Sequence, residues 1–109
     1  MERDCLKGFF RKHIRLAKAF IPGSSLVNIA HILPKRKKNG FPSLMCDDDN
    51  VVYLTWQQHS EYDRLFDRRE FECISNEFSW FTKERIAALL DKADERNKLY
   101  YQLREWTEY

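Results

Sequence analysis

The 109-residue sequence predicts a single α+β domain that is mostly helical, and two kinds of pattern lead to this prediction. Apolar residues recur at helical spacing near both ends of the chain and in residues 56–67, whereas two β-branched runs, LVNIAHIL and NVVYLT, are typical of strands. A hydrophobic content of 43% and an aromatic content of 15% suffice for one modest core. We expect one domain over residues 1–109, with a basic N-terminal helix (1–25), a strand–loop–strand–helix core (26–67) and a C-terminal helical cover (68–109).

The N-terminal helix is predicted over residues 3–20, where the apolar positions follow a helical period. The sequence PGSS at residues 22–25 then ends it. The helix carries Arg11, Lys12 and Arg15, and we expect its basic face to lie beside the functional site and to contact nucleic acid, although an ordinary solvated face is the alternative. His13 lies among these cations, and we interpret it as a surface residue that contacts solvent or phosphate.

The core begins with a β-branched and aliphatic run that Pro34 stops, because proline lacks the N–H group that a strand needs. His31 is therefore expected near the end of a strand. A long loop with Asn-Gly and Asp-Asn turn pairs follows. Residues 50–55 then predict a second strand that pairs with the first, and residues 56–67 predict a helix.

Three polar side chains of this core suggest a chemistry. His59 and Asp63 lie four residues apart on the predicted helix, so they leave one face about one turn from each other. An imidazole and a carboxylate at this spacing can share one divalent cation. His31 would face that cation from the strand, and an imidazole with a pKa of about 6.5 can take a proton from water at neutral pH. The pattern indicates phosphodiester hydrolysis by a His-activated water, with the cation stabilising negative charge.

Three sequence motifs carry a resemblance to a known family. AHILPK, DNVVYLT and WQQHSEYDRLFD resemble, in this order, the motifs of the HNH endonuclease family, the ββα-metal or His-Me finger nucleases. The resemblance covers residues 28–67, and it implies a ββα-metal core. It also implies that His31 is the general base, that Asn50 holds the loop and orients this base, that His59 is a metal ligand and that Asp63 stands where some members place a second ligand.

The chain departs from the family pattern at two points. Many members carry a metal-binding Asp or His immediately before the base, where this chain has Ala30. Many also hold their loops with a four-cysteine zinc site, which Cys5, Cys46 and Cys73 cannot supply. We therefore expect one divalent metal ion (Mg²⁺, Mn²⁺, Ni²⁺ or Zn²⁺) at the His59 helix and no structural zinc site.

The formal net charge of +2 hides a strong asymmetry along the chain. Residues 1–40 hold ten Lys or Arg against two acids, whereas residues 41–109 hold nine against fifteen. The basic part contains His31, so its field would concentrate a polyanion near this residue and make binding salt-dependent. Phosphate contact is the interpretation we favour for the four basic residues that directly follow the His motif, namely Lys35, Arg36, Lys37 and Lys38.

Composition also bears on partners and location. The chain has no run of about 18 apolar residues, and its charged N-terminus lacks the apolar region of a secretory signal. Three scattered cysteines fit a reducing cytosol better than a disulfide scaffold, so we expect a cytoplasmic protein without a membrane partner. The expected partner is DNA, with RNA and a homodimer left open. Family analogy suggests a phage or mobile-element nuclease.

The C-terminal part is expected to cover the core. Residues 70–78 predict a short helix, and Thr82 is a plausible N-cap for a second helix that continues to about Trp106. We interpret the second helix as packing on the core. The alternative is that Tyr100, Tyr101 and Trp106 form a self-association face.

Three functions fit these patterns. The first is a metal-dependent HNH-type endonuclease that hydrolyses DNA. The second, the alternative to the first, is a catalytically decayed HNH-fold DNA-binding protein, and Ala30 in place of a metal ligand would explain the loss of activity. The third is a small interaction protein whose resemblance to the family arises by chance. The first two share the basic half and differ in whether His31 and His59 meet around a cation, whereas the third predicts neither a metal nor salt-dependent affinity for DNA.

Overall fold

The computed structural model describes the backbone of residues 2–20 and 27–109, and the side chains of residues 5–17 and 28–109. Its elements, in chain order, are helix α1 (Glu2–Phe20), strands β1 (Val27–His31) and β2 (Val51–Thr55), and helices α2 (Trp56–Asp67), α3 (Phe71–Glu77), α4 (Lys83–Lys92) and α5 (Lys98–Thr107). The described chain is therefore α+β and mostly helical, as predicted. None of the described helices combines the length and the apolar character that crossing a membrane requires. The predicted helix stop at residues 22–25 lies outside the described residues.

The two strands form an antiparallel hairpin around the long loop. His31, the last residue of β1, lies opposite Val51, the first residue of β2. A backbone hydrogen bond from the Ile32 N–H to the Asn50 carbonyl (3.0 Å) continues the pairing beyond His31. The hairpin therefore places Val51, at the start of β2, beside His31, at the end of β1.

Helix α2 follows β2 without a linker because a capping box starts it. The Thr55 side chain accepts a hydrogen bond from the Gln58 N–H, and the Gln58 side chain accepts one from the Thr55 N–H. The helix packs against both strands and against α3. Its inner face joins a cluster of aromatic rings: Tyr62, Phe66, Phe71, Phe78, Trp80, Phe81 and Trp106. Packing of this kind fixes the outward face of α2, which carries His59 and Asp63.

Helix α1 packs on β1. Its inner face contains His13, which the sequence predicted at the surface. His13 is 4% exposed, so its interpretation as a surface residue is wrong. Its Nδ1 lies 2.6 Å from the Tyr53 hydroxyl, and its Nε2 lies 2.8 Å from the Asp48 carboxylate. The reason is the helical period, which puts residue 13 on the same face as Phe9 and Ala17, both buried, although several cations lie nearby in sequence.

The C-terminal part forms two helices where the sequence predicted one. Helix α4 ends at Lys92, and α5 begins at Lys98 after Asn97, whose side chain accepts a hydrogen bond from the Tyr100 N–H. Residues 93–97 leave the helical path because their polar side chains bind the long loop. Glu95 accepts hydrogen bonds from the backbone N–H (2.9 Å) and the hydroxyl (2.7 Å) of Ser43.

The same region also tests the proposed self-association face. Tyr100 and Trp106 are buried in the core, whereas Tyr101 is 60% exposed. Two of the three side chains are therefore unavailable to a second copy, and the packing interpretation of this segment is confirmed. Whether the protein forms a homodimer stays an open prediction.

A disulfide joins Cys5 of α1 to Cys46 of the long loop, so the expectation of free thiols is wrong for this pair. Its two cysteines are 41 residues apart in sequence, and folding brings their Cα atoms to 6.4 Å, within the normal range for a disulfide. Cys73 is an exposed free thiol. Spacing alone did not reveal the pair, because the contact depends on how α1 packs against the loop.

Breaking this disulfide is expected to lower the free energy of unfolding by about 2–4 kcal/mol, because the bond restricts a long loop of the unfolded chain. The measurement is urea unfolding of the oxidised protein and of the variant Cys46→Ser, followed by tryptophan fluorescence. Cys73→Ser is the matched control, since it removes a thiol that forms no bond. Equal urea midpoints for Cys46→Ser and the unmodified protein would contradict this expectation.

Candidate active site

One cavity collects five of the eleven site residues that the sequence singled out. It has a volume of about 390 Å³, and we call it the His31 cavity. His31 comes from β1, His59 and Asp63 come from α2, and Lys35 and Arg36 come from the start of the long loop. The hairpin and the helix that follows it thus bring together five residues that are separated by up to 32 positions in the sequence.

His31 is held in one orientation and one tautomer. Its Nε2 lies 2.7 Å from the Met45 carbonyl oxygen, which can only accept, so this nitrogen carries the proton and donates. Nδ1 then carries the lone pair, and it makes no hydrogen bond to any part of the chain that the structure describes. The rings of Phe9 and Phe10 lie 5.8 Å from the imidazole, centroid to centroid, and confine it further. The arrangement leaves one basic nitrogen available.

Burial favours the neutral form of this imidazole. The partial burial of His31 lowers its pKa below the usual 6.5, the hydrogen bond to the Met45 carbonyl opposes this effect, and the positive charge of Lys35 adds to it. A neutral imidazole is the form that can accept a proton. Lys35 lines the same cavity as His31.

Asn50 ties the long loop to the end of β1. The residue is fully buried, and its side-chain oxygen accepts a hydrogen bond from the Leu33 N–H (2.8 Å). Its amide nitrogen donates to the carbonyls of Leu33 (3.0 Å) and Leu44 (3.2 Å). Leu44 directly precedes Met45, the residue whose carbonyl orients His31. Asn50 therefore holds the carbonyl that directly precedes the acceptor of the His31 hydrogen bond.

His59 and Asp63 form a pair on the exposed face of α2. The His59 Nε2 and an Asp63 carboxylate oxygen are 3.6 Å apart. Asp67, one further turn along, lines the same cavity. Burial in the cavity wall raises the pKa of Asp63, the His59 ring opposes this, and the Asp67 charge raises the pKa further. A carboxylate in such surroundings gains stability from a cation placed beside it.

The donor atoms of this pair suit a divalent cation with few protein ligands. Among the described residues no group of three or more His, Cys, Asp or Glu is arranged to hold a metal ion. One imidazole and one carboxylate on adjacent turns nevertheless match ions that keep several waters and take further oxygens from a phosphate. His59 and Asp63 are therefore the residues that would hold such an ion.

Ala30 does not face this cavity. It is 1% exposed and belongs to the hydrophobic core, opposite Val52 of β2. Successive side chains of a strand point to opposite faces, so the face that carries Ala30 is turned away from that of His31. The position therefore contributes no ligand.

The remaining basic residues with a predicted role take different positions. Lys37 and Lys38 are exposed in the long loop, and Arg11 and Arg15 are exposed on α1. Lys12 instead forms an ion pair with Asp48 at 2.7 Å, so part of its charge is already compensated. Hydrogen bonds from Lys12 and His13 lower the pKa of Asp48.

Three features of the candidate site could not be assigned, or were overlooked, from the sequence. Asp67 follows Asp63 by four residues, so the helical period that grouped His59 with Asp63 was a signal for Asp67 as well. The Met45 carbonyl is a backbone group, and no residue pattern distinguishes it from its neighbours. Tyr62 also lines the cavity, where its buried hydroxyl donates to the Ile32 carbonyl and secures the end of β1 on α2.

In comparisons with known proteins, no family model, no curated protein and no solved structure matches the chain. The resemblance to the HNH family accordingly stays a prediction that rests on the motifs.

Proposed function

We propose that the protein is a metal-dependent endonuclease of the HNH type that hydrolyses phosphodiester bonds of DNA. The observation that carries this proposal is the His31 cavity, in which an oriented neutral imidazole, a His-Asp pair and two cationic side chains line one space. The order strand, loop, strand, helix is that of a ββα-metal core, and it supports the same proposal.

His31 acts as the general base of the proposed reaction. Its Nδ1 takes a proton from a water molecule as the water oxygen attacks phosphorus. The bond from phosphorus to the leaving oxygen breaks, and this oxygen takes a proton from solvent water. The Nε2–H bond to the Met45 carbonyl keeps the ring in place and stabilises the imidazolium that forms. Asn50 maintains this geometry through the loop.

The other cavity residues bind the phosphate and its charge. Lys35 and Arg36 provide cations on the loop side, where they would hold the phosphate oxygens and stabilise the charge that develops during attack. His59 and Asp63 would hold a divalent cation, which when bound supplies electrostatic stabilisation of the phosphate and of the leaving oxygen. In the proposed reaction, Lys35 and Arg36 thus balance the negative charge of the phosphate, and Asp63 balances the positive charge of the metal ion.

The test is the conversion of supercoiled plasmid to nicked and linear forms by the purified protein. The reaction is run with Mg²⁺, Mn²⁺, Ni²⁺ or Zn²⁺ and, as the control, with EDTA. We expect cleavage with at least one ion and none with EDTA. Absence of cleavage with every ion would contradict the proposal.

The pH dependence of cleavage is expected to report His31. Because burial lowers the His31 pKa below the usual 6.5, the imidazole is mostly neutral at pH 7, so kcat/KM should change little between pH 8 and about pH 7. At lower pH protonation removes the base, and kcat/KM should fall as the pH drops through the lowered pKa. Initial rates from about pH 5 to 8 measure this profile. A midpoint above 6.5 would contradict the expectation.

A DNA-binding protein without catalytic activity is the second candidate. The observation that favours it is the position of Ala30 in the core, which leaves α2 alone to supply metal ligands. This candidate predicts a salt-sensitive gel shift of DNA without cleavage in the plasmid assay. The same purified protein therefore separates the two functions.

A further inference from the structure

A smaller cavity lies between Asn39 of the long loop and the start of α5, and we call it the Lys98 cavity. Its volume is about 200 Å³, enough for a phosphate group and several waters, since a water takes about 30 Å³. Asn39, Arg69, Lys98, Leu99 and Gln102 line it. It therefore contains two permanent cations and two side-chain amides, and no carboxylate lines it.

The polar groups of this cavity have unused hydrogen-bond donors. Arg69 donates from Nε to the Gln102 side-chain oxygen (3.0 Å) and from Nη1 to the Phe66 carbonyl (2.8 Å), which holds its guanidinium in place and leaves Nη2 without a bond in the described structure. Gln102 uses its oxygen in that contact, so its amide N–H groups remain available. Lys98 is exposed, and within the described chain it has neither a hydrogen bond nor an ion pair.

This set of donors fits an anion and excludes a cation. A guanidinium that is fixed by two hydrogen bonds presents its remaining N–H groups at low entropic cost, and phosphate oxygens are its preferred acceptors. The nearby ammonium of Lys98 adds a flexible second charge. The Lys98 cavity thus has the chemistry of a phosphate site.

The Lys98 cavity adjoins the His31 cavity through two segments of the chain. Arg36 lines the larger cavity and Asn39 the smaller, and in the same way Asp67 lines the larger and Arg69 the smaller. Two or three residues span at most about 7 to 11 Å, so the walls of the two cavities lie within a few phosphate spacings of each other. One nucleic-acid molecule can reach both.

We infer that the Lys98 cavity binds a phosphate of the polynucleotide backbone, a few nucleotides from the phosphate that enters the His31 cavity. The inference rests on the proposed function, since it assigns a second contact to the same nucleic acid. The role of this second contact is to align the substrate, because a fixed second phosphate restricts how the polynucleotide lies across His31.

The test is the affinity of Lys98→Ala for a short labelled DNA duplex, measured by fluorescence anisotropy in EDTA over a series of salt concentrations. We expect Kd to rise about three- to tenfold and the salt slope to decrease by about one. The matched control is Lys83→Ala, which removes one positive charge near the other end of α5, where Lys83 donates to the Tyr109 carbonyl. This control should leave both quantities nearly unchanged.

A second arm separates nucleic acid from free phosphate. Inorganic phosphate and the DNA duplex are titrated separately while NMR follows the side-chain amide of Gln102, and the inference expects the duplex to shift this signal. A shift with inorganic phosphate but none with DNA would assign the cavity to free phosphate and overturn the inference.

The outcomes also distinguish the two proposals. Equal DNA affinity of Lys98→Ala and the unmodified protein would overturn the inference while the proposed nuclease stands. Lys98-dependent binding without cleavage in the plasmid assay would retain the inference and contradict the nuclease.

Discussion

The variant His31→Ala is expected to cleave DNA about 10²- to 10⁴-fold more slowly than the unmodified protein, the usual effect of removing a general base. Its affinity for DNA in EDTA should change little, because the residue that is lost is uncharged at neutral pH. Plasmid cleavage rates and anisotropy measure these two quantities. The separation of rate from affinity is what assigns a chemical role to His31.

Truncation to alanine also removes ring contacts with Phe9 and Phe10, so a second variant is needed. His31→Gln keeps most of the volume and an N–H group that can donate to the Met45 carbonyl, but its amide cannot take a proton from water. It should be as slow as His31→Ala. Added imidazole should restore part of the activity of the alanine variant. Cleavage by His31→Gln at a rate close to that of the unmodified protein would show that His31 is not the base.

Local patterns were enough to predict the hairpin and α2. The β-branched runs end at Pro34 and Thr55, and both strands lie where the runs predicted them. The period of residues 56–67 likewise predicted the helix that carries His59 and Asp63. Signals of this kind depend on neighbours within a few residues, so a single sequence contains them.

Features that depend on distant contacts could not be predicted in this way. The apolar pattern runs through the break between α4 and α5, because Ala93 and Tyr100 are seven residues apart, close to two helical turns. The break is set by Glu95, whose partner Ser43 is 52 residues away in sequence. The disulfide and the burial of His13 likewise depend on how α1 packs. Sequence period therefore located the elements but not the contacts between them.

The candidate site shows the same difference between features that local sequence determines and features that distant contacts determine. Spacing grouped His59 with Asp63, and motif order linked both to His31 and Asn50. The orientation of His31 comes from the Met45 carbonyl, a group that every residue possesses, and only the folded loop selects it. Residue types thus suggested a chemistry for the site, whereas the tautomer and the orientation of the His31 ring required the fold.

The variant Asn50→Ala is expected to lose about 3–6 kcal/mol of unfolding free energy, because three backbone groups in a buried region lose their partner at once. These groups are the N–H and the carbonyl of Leu33 and the carbonyl of Leu44. Urea unfolding gives the change in free energy. Asn76→Ala is the matched control, since Asn76 is exposed on α3 and its loss should cost less than about 0.5 kcal/mol.

The same substitution should lower activity even at temperatures where the variant remains folded. Asn50 holds the Leu44 carbonyl, and the next carbonyl, that of Met45, orients His31, so loosening the loop frees the imidazole to rotate. We expect kcat to fall while Kd for DNA in EDTA stays within about twofold, because the loop cations remain present. If kcat of the folded Asn50→Ala variant matched that of the unmodified protein, Asn50 would have a role in stability alone, and the orientation of His31 would have to come from α1.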